Sequence, residues 1–97
     1  MKIRFLPPAE RELRRAVRYY NIQRAGLGNE FRDEIRNTLK RIAQLPHAWN
    51  PLGGNFRRCQ TQRFPYGVIY EPLPDEIIII AIAHLHREPE YWYKRAP

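Results

Sequence analysis

Residues 77–80 are four consecutive isoleucines inside an apolar run that extends to Ala83. β-Branched side chains lose rotamer freedom in a helix and pack well on a pleated surface. Successive residues of a strand point to opposite faces, so an unbroken apolar run presents hydrophobic surface on both sides. Such a strand is expected to be central and covered on both faces. The chain has 97 residues, which suits one domain spanning 1–97. A domain of this size buries about 60–70% of its unfolded surface, enough for a core without disulfide or metal staples. The apolar fraction of 43% and the aromatic fraction of 12% argue against disorder.

The segments before the isoleucine run predict the rest of a two-layer domain. Residues 2–6 alternate polar and apolar and then meet Pro7-Pro8, a short strand stopped by proline. Pro8 suits the first turn of a helix, where its missing N–H costs nothing. Ala9, Leu13, Ala16, Val17 and Tyr20 then recur on one helical face. Gly26-Leu27-Gly28 breaks that helix, and Phe31, Ile35, Thr38, Leu39, Ile42 and Leu45 mark a second one, ended by Pro46. So short a connection predicts an antiparallel helical hairpin. Residues 47–55 read as a loop, with Asn50-Pro51 and Gly53-Gly54 as breakers. Residues 56–62 and 66–71 read as strands around the Arg63-Phe64-Pro65 corner, and Pro72-Leu73-Pro74-Asp75 as the turn before the isoleucine strand. Residues 88–95 are expected to form a short helical turn whose Tyr91, Trp92 and Tyr93 dock on the sheet. The predicted class is α+β, in the order β-α-α-β-β-β-(α), with the hairpin packed on an antiparallel sheet.

The chain is basic, with seventeen Lys or Arg against ten Asp or Glu and a formal charge of +7. Only Lys2, Lys40 and Lys94 are lysines; the other basic residues are arginines. Positive charge points to nucleic acid, an acidic protein partner, or both. Cys59 is the single cysteine, so neither a disulfide framework nor a cysteine zinc cage is available. The N-terminal residues lack the apolar stretch of a signal peptide, and residues 77–83 fall far short of the ~20 residues of a membrane span. A reducing, cytosolic setting without membrane attachment is the expectation. No GxxxxGK[ST], GxGxxG or HExxH motif is present, so no cofactor is implied.

Arginines gather at three places. Arg11, Arg14, Arg15 and Arg18 fall in a stripe roughly 100° wide on the first helix, opposite its apolar face. This stripe could follow a phosphate backbone or meet an acidic helix. It could equally be a solvated face, with Glu10–Arg14 and Glu12–Arg15 as ordinary surface pairs. Arg57 and Arg58, followed by Arg63 at the corner, supply planar donor forks suited to phosphate or carboxylate. The plainer reading of Arg57 and Arg58 is protection of a strand edge. The third place is His84-Leu85-His86-Arg87, directly after the isoleucine strand. Histidine exchanges protons near neutrality. Cleavage of RNA through its own 2′-hydroxyl needs a base, an acid and a phosphate clamp. His84 or His86, Tyr91 or Tyr93, and Arg63 or Arg87 could fill those posts. Histidines at a strand end are also common as plain structural hydrogen-bonders. A bare His-x-His without a nearby cysteine or spaced carboxylate is a poor zinc signature, and no metal is expected. Tyr19, Tyr20, Phe31, Trp49, Phe56, Phe64, Tyr66 and Tyr70 are read mostly as core, and Cys59 as an inert apolar residue.

These segments resemble the RelE/ParE superfamily of type II toxin–antitoxin toxins, especially its ParE-like, plasmid-stabilisation branch. The stretches that carry the resemblance are residues 9–20 with the paired tyrosines, Gly26-Leu27-Gly28 before Phe31, and Pro46 with Trp49-Asn50-Pro51-Leu52-Gly53. They continue through Arg57-Arg58, residues 63–70, and residues 83–92. The resemblance implies a helical hairpin on an antiparallel sheet whose first strand lies beside its last, and a cognate antitoxin with an acidic or amphipathic segment as partner. ParE-like members poison DNA gyrase; RelE-like members cleave messenger RNA on the ribosome. Arg63 matches the sheet arginine of the superfamily, and His84-x-x-Arg87 resembles the close of the last strand in ParE-like sequences. The lysine set of RelE-type nucleases is absent. A gyrase inhibitor is therefore the leading expectation and an mRNA endonuclease using Arg63, His84, His86, Arg87 and Tyr91 the alternative. A binding module without toxicity is the third. Arg11, Arg14, Arg15, Arg18, Arg57 and Arg58 are the expected contacts to antitoxin or target.

Overall fold

The isoleucine run lies in the strand Glu76–His84, and residues 77–83 are all buried. The computed structural model describes residues 1–87 and 90–95. In chain order the elements are β1 (Lys2–Phe5), α1 (Pro7–Gln23), α2 (Leu27–Gln44), β2 (Asn50–Pro51), β3 (Arg57–Gln60), β4 (Tyr66–Pro72) and β5 (Glu76–His84). A 3-10 turn at Tyr93–Arg95 follows. The sheet order is β1-β5-β4-β3-β2, so β5 is interior and β1 lies beside it as expected.

The expectation of an antiparallel sheet needs one correction. β1 runs parallel to β5, while β5–β4, β4–β3 and β3–β2 are antiparallel, which makes the sheet mixed. The cause is β2, whose two residues lie in the stretch read as a loop. With each connection reversing the chain, six elements would set the last strand against the first. The extra return through Asn50–Pro51 changes that parity. Three side-chain bonds hold this return in place. Trp49 Nε1–H donates to the Arg41 carbonyl at 3.2 Å. Arg57 donates to the Trp49 carbonyl at 2.8 Å, and the Tyr70 hydroxyl to the Pro46 carbonyl at 2.6 Å. Burial pushes the Tyr70 phenol up to about 12.

The hairpin forms as the periodicity requires. Pro7 and Pro8 occupy the first turn of α1, and Ala9, Ala16 and Val17 are buried beneath it. Gly26 takes a positive φ of 90° at the start of α2, which glycine adopts without a Cβ clash. Gly28 allows the two helices to meet: a Cβ there would collide with the Val17 carbonyl and the Asn21 side chain. Asn21 Oδ1 instead accepts the Gly28 N–H at 2.7 Å. Phe31, Ile35, Thr38 and Ile42 form the buried stripe of α2. Tyr19 departs from the expected core. It is 56% exposed, because the stripe through Ala16, Val17 and Tyr20 leaves the neighbouring position turned outward.

Residues of β5 divide between two cores. Ile77, Ile79 and Ile82 pack with the helices; Ile78, Ile80, Ala81 and Ala83 pack with Ile69 and Trp92 on the opposite face. The change of parity after Ile80 is a β-bulge. Ile69 faces Ala81 while Tyr70 faces Ile79, leaving Ile80 as the extra residue. Had Ile80 been paired in regular alternation, with no bulge, the side chains beyond it would exchange faces, and His84 would not lie with Ile82 beside α1. The opposite face is covered by the tail, as expected, with Trp92 4% exposed and its ring 5.2 Å from that of Phe56. The expected turn over residues 88–95 is seen as the 3-10 turn Tyr93–Arg95; Glu88 and Pro89 lie outside the described residues.

Candidate functional site

β1 pairs with β5 as far as Phe5 opposite Ile79 and then gives way to α1. The backbone of β5 beyond that point has no strand on that side, and a side-chain cluster takes over its hydrogen bonds. Glu12 of α1 is 9% exposed, and its Oε1 accepts the Ile82 N–H at 3.0 Å. Arg95 donates to the Ile80 carbonyl at 3.2 Å. Arg95 also grips both oxygens of Glu12, each at 2.9 Å. Together the two side chains act as one residue of a parallel strand would, accepting one N–H and donating to one C=O. The Tyr91 hydroxyl donates to Glu12 Oε2 at 2.8 Å. Burial first, and this hydrogen bond to the carboxylate second, push the Tyr91 phenol well above its ordinary value. The hydrogen bond to Glu12 raises the already high pKa of Arg95.

Glu12 is thus not the surface partner of Arg15 that its i, i+3 spacing predicts. It lies three residues after buried Ala9 and four before buried Ala16, on the inward face. That placement was the available signal. The sequence offered none for Arg95, which reaches Glu12 from 83 positions away.

The strand exit brings several of the expected residues together. Arg87 stacks on the Tyr91 ring, 3.9 Å from its centroid, and comes to 3.7 Å from Glu12 Oε2 with half its side chain in solvent. His84 Nδ1 accepts the His86 N–H at 3.1 Å, so the neutral His84 ring carries its proton on Nε2. Its ring meets that of Tyr66 edge-on at 5.1 Å. Glu12, Arg15, Ala16, Tyr19, Tyr66, Ile82, His84 and Arg87 line an open cavity of about 220 Å³. His86 is exposed, its ring 5.3 Å from that of His84.

Apart from Arg15, the expected arginines of α1, β3 and the Arg63 corner do not line this cavity. Arg63 pairs with Glu30 of α2 at 2.8 Å and lies over the Phe64 ring at 4.9 Å. Hydrogen bonds from Arg63 and then Arg24 hold the Glu30 carboxyl below its usual range. Phe64 adopts a φ of 74°, and its ring packs against Tyr20 at 4.9 Å and Phe31 at 5.1 Å; the corner turns there and sends Arg63 toward α2. Arg57 serves the Trp49 carbonyl on the helix side. Arg58 crosses Gly67, where a Cβ would come within 2.9 Å of its side chain, and borders the tail-covered face. β2 covers the edge of β3, so edge protection is not what these two arginines supply. Arg11, Arg14, Arg15 and Arg18 are all exposed along α1. Arg15 alone of the four lines the cavity.

A helical hairpin on a mixed sheet with this strand order defines a known class of small α+β domain. The described fold is similar to a solved structure titled "Chromosomal ParDE TA system from P. aeruginosa", with a TM-score of 0.78 at 18% identity, covering 89% of this chain and 97% of that one. The likeness shows a shared fold. The family described as "ParE toxin of type II toxin-antitoxin system, parDE" matches residues 3–89, and the chain belongs to it. Comparison with curated proteins finds no significant match. Among the described residues, no helix is long and apolar enough to cross a membrane.

Proposed function

We propose that this ParE-family toxin restrains growth by binding DNA gyrase, with no chemistry of its own. The observation that carries the proposal is the commitment of Tyr91. Its hydroxyl proton is already given to Glu12, burial disfavours its ionisation, and Arg95 neutralises the carboxylate beneath it. A general acid held in this way is a poor proton donor to a leaving group. Arg63, the arginine expected to clamp a phosphate, is engaged by Glu30 instead. The alternative of a ribosome-dependent endonuclease draws on His84 and Arg87, which share the cavity at the strand exit with Arg15. Supercoiling by purified gyrase in the presence of the toxin, alongside primer extension on translated messenger, separates the two. Loss of supercoiling with intact transcripts supports gyrase. Transcript cuts that vanish in His84→Ala, His86→Ala and Arg63→Ala variants sink that reading.

The same proposal includes a cognate antitoxin that covers the exposed arginines of α1 with an acidic, amphipathic segment. The net charge of +7 supports it. Binding of that kind weakens as salt rises, since exposed charges are screened over about 8–10 Å at physiological ionic strength. An affinity unchanged between low and high salt counts against the electrostatic part.

A further inference from the structure

The cavity between α1 and the end of β5 holds more positive charge than its own carboxylate uses. Glu12 at its floor is satisfied by Arg95 on both oxygens, by the Tyr91 hydroxyl and by the Ile82 N–H. Arg87 stands 3.7 Å away with its side chain 50% exposed. Arg15 makes no ion pair among the described residues. His84, with Nδ1 occupied by the His86 N–H, keeps its Nε2–H to donate. Tyr19 and Tyr66 supply aromatic walls. At about 220 Å³ the cavity is smaller than the roughly 300–1,000 Å³ of small-molecule and cofactor sites, and of a size for one anionic group.

We propose that this cavity is a socket for one carboxylate side chain, Asp or Glu, of the antitoxin, clamped between Arg15 and Arg87. The proposal rests on the antitoxin reading above and adds the place and chemistry of its anchor. Carboxylate and guanidinium match in planar geometry, and two forks can hold both oxygens. The surface leading away from the socket favours a peptide over a nucleic acid. Along α1, Arg15 and Arg18 share the exposed surface with Tyr19 and Ile22, which are 56% and 78% exposed. Arg15, Tyr19 and Ile22 follow the i, i+4, i+7 spacing by which helical faces engage amphipathic segments. Affinity for a phosphate backbone comes mainly from charge, to which an exposed isoleucine such as Ile22 adds nothing.

The test uses the full chain in two arms. In the first, N-acetyl-glutamate amide, N-acetyl-glutamine amide and inorganic phosphate are titrated to millimolar levels while His84 and arginine side-chain resonances are followed by NMR. The glutamate compound should shift His84, Arg15 and Arg87 saturably, the glutamine compound should not, and Arg15→Gln or Arg87→Gln should abolish the effect. No shift with glutamate overturns the socket; phosphate binding more tightly than glutamate assigns the cavity to nucleic acid and overturns it equally. In the second arm, the antitoxin encoded beside this chain is measured against Arg15→Gln, Arg87→Gln and the charge-matched control Arg36→Gln on α2. The first two should weaken binding about tenfold or more, and the control should leave it nearly unchanged. Equal affinity for all three variants removes the socket and leaves the antitoxin reading standing. A glutamate response in a chain that no neighbouring antitoxin binds removes that reading and leaves a carboxylate site.

Discussion

The two faces of β5 are both buried, yet they are covered in different ways. On one face, α1 and α2 lay down a continuous apolar stripe against Ile77, Ile79 and Ile82. Tyr20, Phe31, Phe64 and Tyr66 extend it with ring centroids 4.8–6.3 Å apart, as between Phe31 and Tyr66 or Tyr20 and Tyr66. On the other, the C-terminal tail places Trp92 over Ile78, Ile80, Ala81 and Ala83. That cover is fastened by Arg95 and Tyr91 reaching Glu12 on α1. The helix side thus depends on area and the tail side on one carboxylate. His84, Arg87 and Arg15, the residues of the proposed socket, stand where the tail fastening meets α1. A place held by polar contacts at a strand end can carry surplus charge that an apolar core cannot.

Removing the fastening should have the largest effect. Glu12→Ala leaves Arg95 mostly buried without its partner and orphans the Ile82 N–H, at an expected cost of about 3–5 kcal/mol in urea unfolding. Exposed Glu10→Ala should cost little by the same measurement. If the two variants unfold alike, Glu12 does not hold the tail. Arg95→Gln should raise amide exchange in β5 at Ile82 and in the tail while leaving the protection of α2 unchanged. Equal loss in both regions would show the two covers to be one cooperative unit.

Truncations within β5 compare the covers directly. Ile79→Ala on the helix side should fall near the upper end of the ~2–5 kcal/mol range for such changes, since two packed helices close poorly around a void. Ile78→Ala should fall near the lower end, because the tail can settle inward. The reverse order in denaturant midpoints would make the tail the more rigid cover.

Proton equilibria give smaller effects of opposite sign at the two ends of the pH scale. Tyr70 and Tyr91 both have raised pKa values in the folded state, Tyr70 to about 12. Their contribution is complete below the ordinary phenol value of about 10 and is lost as pH rises through the folded values. Stability should therefore fall above pH 10, and Tyr70→Phe should flatten that decline and reduce the late phenolate absorbance by one group, leaving that of Tyr91. Glu30 is shifted downward, so its contribution is complete above the ordinary carboxyl value of about 4.5 and is lost as pH falls through the lowered one. Arg63→Ala should be the mildest change, because the pair is exposed and screened, and its difference from wild type should vanish in acid.

Much of the domain was legible in residue order because its causes are local. Periodicity at i, i+3 and i+4 located α1 and α2, glycine and proline punctuation separated them, and the isoleucine run marked the central strand. The family wording placed β1 beside β5, and the described fold agrees. Other features needed the folded chain. The parallel sense of β1 and β5 turned on a two-residue strand with no pattern to detect. The bulge at Ile80 that moves His84 beside α1 comes from pairing with β4. Arg63 reads as a clamp in the sequence and turns to Glu30 in the fold.

By itself, then, the sequence determined every element type but that of β2, the doubly covered strand, the basic surface and the toxin family, since each is written in short-range spacing or direct wording. Only the tertiary structure decided which charges are neutralised and which remain available. Glu12 became the fastening of the tail through contacts that span most of the chain. A side chain's charge is felt through distance and burial, and neither is fixed until the chain has closed on itself.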